Sequence, residues 1–361
     1  MVALSVLDLS PVTTGGSGAA ALHNSIDLAR LADKLGYTRY WVAEHHNLPS
    51  VASSAPDIMI GQIAAATERM RVGSGGIMLP NHAPLSVLER FHVLEALFPG
   101  RIDLGIGRAP GTDQITSHLL RRRQDIRDED DFIERFKEMV LLESRAFPAD
   151  HPYHNIRAMP ADVELPPIYL LGSSGYSAEL AARIGAGFSF AHHFSDYDPV
   201  RAMTTYRELF QPSVTLQKPH AILGIAAVAA DTDAEADRLA TTIDLNYVRR
   251  QKGEYLPLES PEAAAAHPYT AVDKERIAYN RRRVLTGSAE TVRARLDPLI
   301  AATKADEVMI TTMIYDHGAR RHSYEVLAQA FGLSGAAAPA QAPPAPGTLE
   351  AKSAPGRPGE A

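Results

Sequence analysis

Tyr40-Trp41-Val42-Ala43-Glu44-His45-His46-Asn47 is an apolar strand that runs straight into a carboxylate and two imidazoles. In a barrel of parallel strands, catalytic groups stand at the C-terminal strand ends. Successive strand residues point to opposite faces, so one histidine looks into a pocket while the other packs or caps. Imidazole is the side chain best able to exchange a proton near neutral pH. A single strand-end histidine also fits a plain hydrogen-bonded structural role, so the case rests on what stands at the other strand ends.

Working outward, short apolar strands alternate with longer helical stretches. Strands are read at 2–9, 40–43, 70–79, 102–107, 168–171, 187–191, 220–230 and 307–314. Helices are read between them, among them 20–35, 56–67, 85–97, 132–146, 177–185, 199–210, 234–250, 289–303 and 320–331. Asp231-Thr232-Asp233 supplies a cap for one of these helices. This rhythm predicts parallel strands with right-handed crossovers, and eight units favour closure into a TIM (β/α)8 barrel. Two stretches are too long for ordinary turns. One is 108–131, after the fourth strand; the other is 251–280, after the helix that follows the seventh strand. Such insertions serve as lids or binding loops. Residues 1–333 read as one domain. The segment 334–361 is almost all Ala, Pro, Gly, Ser and small polar residues, which cannot bury enough apolar surface to fold.

Composition narrows the chemistry. The 361 residues, 45% of them hydrophobic, suffice for one barrel-sized core, and no cysteine is present. Disulfides, thiolate metal sites and cysteine nucleophiles are excluded, and a reducing cytoplasm is the expected compartment. The start Met1-Val2-Ala3-Leu4-Ser5 reads as a strand rather than a signal peptide. No apolar run reaches the roughly 18 residues of a membrane span. A formal net charge of −7 gives no electrostatic reason to expect nucleic acid. The short runs 121–123 and 281–283, three arginines each, read as solvated or phosphate-facing loops.

Other strand ends carry unusual residues too. The third runs Gly73-Ser74-Gly75-Gly76-Ile77-Met78-Leu79-Pro80, where glycines mark a bulge, a twist adjustment or close approach by a ligand. The fourth runs Gly105-Ile106-Gly107-Arg108, and Arg108 is placed to hold an anion at the barrel mouth. The fifth turns through Gly172-Ser173-Ser174-Gly175-Tyr176-Ser177 into a helix. Free amides at a helix start, with hydroxyls nearby, cradle phosphate, although serine is also an ordinary N-cap. His192-His193 closes the sixth strand and reads as structural.

Together these motifs resemble the luciferase-like flavin monooxygenases, the family that includes bacterial luciferase. The matching stretches are Trp41 to His46, Ala66 to Pro80, Pro99 to Arg108 and Gly172 to Ala182. The resemblance covers about 2–332. It implies an FMN site at the barrel mouth, reduced FMN delivered by a separate reductase, reaction with O2 through a peroxyflavin, and oxygenation of a small organic substrate. It further implies a cis peptide at Gly75-Gly76, phosphate contacts from Ser174, Ser177 and the amides of Gly175 and Tyr176, and a phosphate arginine at Arg108. His45 matches a catalytic imidazole, with Glu44 orienting it or pairing with a cation. Arg122 and Arg123 are candidates for a second phosphate arginine. The family's dimers make a homodimer an expectation. The sequence departs from luciferase at Gly107, where a reactive cysteine stands, and at Ser173, where a glutamate stands, which puts light emission in doubt. No metal is expected. The alternatives are a deazaflavin-dependent hydride-transfer enzyme on the same barrel, a non-catalytic flavin-binding protein, and a metal hydrolase built on His45, His46, Asp8 and His192.

Overall fold

A computed structural model describes residues 2–121, 131–213 and 215–335. Arg122, Arg123 and the tail beyond Gly335 lie outside the described residues. The strands are β1 Ala3–Asp8, β2 Arg39–Val42, β3 Arg71–Ser74, β4 Ile77–Met78, β5 Ile102–Gly107, β6 Ile168–Gly172, β7 Gly187–Ala191, β8 Ala221–Ala229, β9 Val284–Gly287 and β10 Glu307–Thr311. All pairings between them are parallel. β10 pairs with both β1 and β8, which closes an eight-staved barrel of β1, β2, β3–β4, β5, β6, β7, β8 and β10. The eight staves fall where the alternating pattern puts them. The third is split at Gly75-Gly76, whose peptide is cis, at the position the resemblance implies.

Strand alternation sorts the side chains into two cores. Leu4, Val6, Tyr40, Val42, Val72, Leu104, Leu170, Phe188, Leu223 and Ile310 face outward into the main core against the helices. The intervening positions face the barrel axis. Low in the barrel, Arg39 pairs with Asp103 at 2.7 Å and with Glu307 at 2.8 Å, and Arg71 also bonds Asp103. Each buried charge is thus met by an opposite one, the condition under which burial is tolerated. Above this layer sits an apolar plug of Leu7, Trp41, Tyr169, Ile222 and Met309. The Trp41 indole N–H donates to Asp103 at 3.1 Å and ties the two layers together. The bottom of the barrel is therefore filled, and space remains only toward the C-terminal ends.

Helices Gly18–Leu35, Pro56–Ala66, Pro84–Leu97, Asp131–Glu143, Gly175–Ile184, Pro199–Leu209, Ala289–Thr303 and His317–Ala330 form the outer ring. Local chemistry sets their ends. Ser17 Oγ accepts from the Ala20 amide at 3.1 Å, and Gly36 closes the same helix with φ 90°.

The structure departs from the sequence reading in the second insertion. Helix Asp233–Gln251, capped by Thr232, packs chiefly on β8, β9 and the short helices Pro261–Ala266 and Ala271–Asn280. Ala289–Thr303, not Asp233–Gln251, fills the ring position between Pro199–Leu209 and His317–Ala330. The insertion therefore begins at the end of β8 and includes the helix that the sequence reading set before it. The two short helices carried readable starts, since Ser260 and Thr270 each accept from the amide three residues on. In the first insertion the described residues include helix Gln114–Arg121. Among the described residues no helix is long and apolar enough to cross a membrane.

Candidate active site

A cavity of about 960 Å³ opens at the C-terminal ends of the staves. It is floored by Leu7 and Met309 of the plug and walled by residues from most of the strand ends. That size falls within the range of small-molecule and cofactor pockets. The inward parity of the staves decides what reaches it: His45, Gly75, Gly107, Ser173 and Gly224 line the cavity, while Glu44 and His46 turn away.

His45 is fixed through its backbone, with its N–H donating to the Ser53 carbonyl at 2.9 Å. Its Nδ1 has no hydrogen-bond partner among the described residues. Burial and the nearby Arg250 and His46 push the imidazole down to about 4 against the opposing pull of Glu44. It stands neutral at pH 7, with Nδ1 buried and unpartnered.

Glu44 lies behind the wall, fully buried. It accepts from His46 Nε2 at 2.8 Å, from His82 Nε2 at 3.0 Å, from the Met78 amide at 2.8 Å and from Asn81 Nδ2 at 3.3 Å. A carboxylate only accepts, so both imidazoles carry their proton on Nε2. Arg90 donates to His82 Nδ1 at 3.3 Å, which fits that tautomer. Burial raises the Glu44 carboxyl, but these donors outweigh it and hold the group down to about 2. Glu44 thus locks β4 and the turn Leu79–Asn81 to the end of β2. The expected orientation of His45 by Glu44 is absent, because the two side chains leave the strand on opposite faces.

The glycines of the third and fourth staves meet at van der Waals contact. A Cβ on Gly105 would lie 2.0 Å from the Ser74 carbonyl oxygen, and one on Gly76 2.8 Å from the Gly105 oxygen. Ser74 Oγ bridges the gap by donating to the Gly105 carbonyl at 2.8 Å. These glycines allow one stave's backbone to approach the next, a cause that the sequence reading did not name.

Arg108 stands at the rim with its guanidinium 5.0 Å from the Tyr176 ring centroid. Among the described residues it has no carboxylate partner. Tyr176 belongs to the first turn of Gly175–Ile184, whose N-cap Ser174 makes no side-chain cap hydrogen bond. The amides of Gly175, Tyr176 and Ser177 are thus left for another acceptor, beside an uncommitted arginine. Ser177 Oγ donates to the Ser174 carbonyl at 2.9 Å, and Ser195 Oγ braces the Ser173 carbonyl at 2.7 Å.

The structure adds residues to those that the sequence reading singled out for the site. His193, read there as structural, lines the cavity, its Nδ1 unpartnered, and burial pushes it down to about 4. His192 does not line it. Helix Asp233–Gln251 contributes Ile243, Asn246, Tyr247, Arg250 and Gln251, a single helical face. The run 281–283 is committed within the molecule: Arg281 pairs with Asp244, Arg282 lies over Tyr279, and Arg283 pairs with Asp196. The metal-hydrolase set does not converge, since Asp8 is held by Arg320 and Tyr40 on the outer face and His46 by Glu44. Among the described residues no group of three or more His, Cys, Asp or Glu side chains is arranged to hold a metal ion.

Comparison with known proteins bears on the family and the fold. A family model described as luciferase-like monooxygenase matches residues 2–307. The chain is 42% identical over 325 residues to the luciferase-like monooxygenase of Escherichia coli strain K12, covering 90% of this chain and 96% of that one. It is 33% identical over 335 residues to the N-acetyl-S-alkylcysteine monooxygenase of Bacillus subtilis strain 168, covering 91% and 98%. Among solved structures, apo-MsnO8 superposes with a TM-score of 0.84 at 38% identity, covering 92% of this chain and 99% of that one. The oxygenating constituent of 3,6-diketocamphane monooxygenase from Pseudomonas putida, in complex with FMN, shares the fold at 19% identity, with a TM-score of 0.67 and coverage of 91% and 97%. The chain belongs to the luciferase-like monooxygenase family.

Proposed function

We propose that the protein is an FMN-dependent monooxygenase that consumes reduced FMN and O2 and oxygenates a small organic substrate. The observation that carries this reading is one cavity that gathers a neutral His45, the Gly75-Gly76 wall, and Arg108 beside the uncapped amides of Gly175, Tyr176 and Ser177. An uncommitted guanidinium beside free helix-start amides suits a phosphate dianion. The chemistry is that reduced FMN gives two electrons to O2, so that one oxygen atom enters the substrate and the other leaves as water. The chain's own residues bind, orient and shield. Arg108 and the serine turn hold the phosphate. Leu7, Leu9 and Met78 keep water from the reacting centre. The His45 imidazole, on the cavity wall, exchanges the proton. Glu44 is a positioning residue that holds β4 in the wall. A separate reductase in the cytoplasm supplies the reduced flavin, and exposed Ile58, Val93 and Leu97 on the adjacent ring helices Pro56–Ala66 and Pro84–Leu97 suit a homodimer.

Anaerobic thermal unfolding with reduced FMN or with a reduced deazaflavin tests the cofactor. A ligand at a hundred times its Kd adds about 2.7 kcal/mol to the folded state. Stabilisation by reduced FMN alone is expected. Stabilisation by the deazaflavin alone would replace this reading with hydride transfer. Flavin binding without oxygenation of any substrate class would favour a binding protein.

A further inference from the structure

Helix Asp233–Gln251 lies over the cavity and turns one face into it. Ile243, Asn246, Tyr247, Arg250 and Gln251 follow the i, i+3, i+4, i+7, i+8 spacing of that face. The cavity wall carries three arginines, Arg108, Arg250 and Arg283, and one carboxylate, Asp196. Asp196 is already taken, because Arg283 Nη1 lies 2.9 Å from it and Tyr279 OH donates to it at 2.6 Å. Arg108 stands by the serine turn. The neighbouring Arg249 points elsewhere and pairs with Glu259 at 3.2 Å. Arg250 is left without a hydrogen-bond or ion-pair partner among the described residues, close enough to His45 for its charge to act on that imidazole.

A cation that lines a cavity with no counter-ion on the wall favours an anionic occupant. We propose that Arg250 is the anion-recognition residue of the substrate subsite, and that the substrate is a small carboxylate with an apolar arm. Arg250 takes the carboxylate, with Asn246, Tyr247 and Gln251 alongside as hydrogen-bonding groups. The apolar arm lies along Leu9 and Val51. The cavity then has two anion positions, the cofactor phosphate at Arg108 and the substrate carboxylate at Arg250, with His45 on the wall near the second. This inference deepens the proposed function and rests on it for the word substrate; the subsite itself depends only on the cavity and its charges.

The test is calorimetric titration of the full chain, with and without FMN, by two acids, 4-phenylbutyrate and N-acetyl-S-benzylcysteine, and by the primary amide of each. The acids are expected to bind the wild type at least about tenfold more tightly than their amides, the lower end of what a charge-assisted hydrogen bond supplies. Arg250→Gln should bring the ratio to near unity, and Arg250→Lys should keep part of it. FMN affinity should hold across all three proteins, since its phosphate sits elsewhere. Equal binding of acid and amide by the wild type, an undiminished acid preference in Arg250→Gln, or no saturable binding of either acid overturns the proposal. An acid preference that depends on Arg250 in a protein that never binds FMN would sink the flavin reading and support the anion subsite.

Discussion

Replacing Glu44 by Gln separates a positioning carboxylate from a proton carrier. The side chain keeps its volume but loses its charge, and one of its two acceptor oxygens becomes a donor amide facing His46, His82, Asn81 and the Met78 amide. The structure sets the size of the effect. Glu44 ordinarily titrates at 4.5 and is held down to about 2, a gap worth about 3 kcal/mol at 1.36 kcal/mol per pH unit. Unfolding entropy for a chain of this size is about 0.7 kcal/mol/K, so Glu44→Gln should lower Tm by about 4–5 °C at pH 7. The sign with pH follows from linkage. A depressed carboxylate stabilises fully above its unfolded value of 4.5 and loses that contribution as pH falls through about 2. The difference between wild type and variant should therefore shrink from pH 4.5 downward. Thermal unfolding from pH 7 to 3, with FMN titration of each protein, reads both arms. FMN affinity should fall in the variant as β4 loosens, while flavin that does bind should turn over. A Tm within about 1 °C of wild type, or a deficit that is the same at pH 7 and pH 3, would refute the clamp. Normal flavin binding with abolished turnover would return Glu44 to the proton pathway.

The other predictions concern the cavity itself. His45→Ala should bind FMN within a few-fold of wild type yet lose about 10²–10⁴-fold in substrate oxygenation, the usual contribution of a general acid/base; unchanged turnover removes His45 from the mechanism. Arg108→Gln should weaken FMN by about 10–100-fold while leaving riboflavin, which lacks the phosphate, nearly unaffected; equal losses for both ligands would move the phosphate elsewhere. Gly105→Ala puts a Cβ 2.0 Å from the Ser74 carbonyl oxygen, so the wall must move. A loss of about 3 kcal/mol or more in urea unfolding, with weakened FMN binding, is expected, and a protein of wild-type stability and affinity would contradict the close packing of the two staves.

Much of this was legible in the chain because two periods are written into it. Strand alternation at Tyr40 to His46 fixes which residues look inward, and the structure follows it: Trp41, Ala43 and His45 face the axis while Val42, Glu44 and His46 do not. The same rule already placed Glu44 opposite His45, which the attraction of a neighbouring carboxylate and imidazole obscured. The inward glycines and the serine turn stood out by residue type, glycines because few residues tolerate close approach and serines because they mark a helix start, but that Ser174 makes no cap bond is visible only in the structure. The insertion over 251–280 was readable, but its start at the end of β8 was not. A helical pattern shows that Asp233–Gln251 is helical but not which surface it packs against, and here the tertiary packing put it over the mouth instead of in the ring. Arg250 was invisible for that reason. β9, four residues long and paired only with the far end of β8, is too short for its alternation to stand out.

The most direct test of the central claim is stopped-flow mixing of the protein, loaded anaerobically with reduced FMN, against oxygenated buffer, with the flavin absorbance followed to full reoxidation. The account predicts that the protein-bound flavin returns to its oxidised spectrum by a distinct route, slower in its final phase than free reduced FMN and altered by His45→Ala. A trace identical to that of free reduced FMN, with and without the protein, would contradict it.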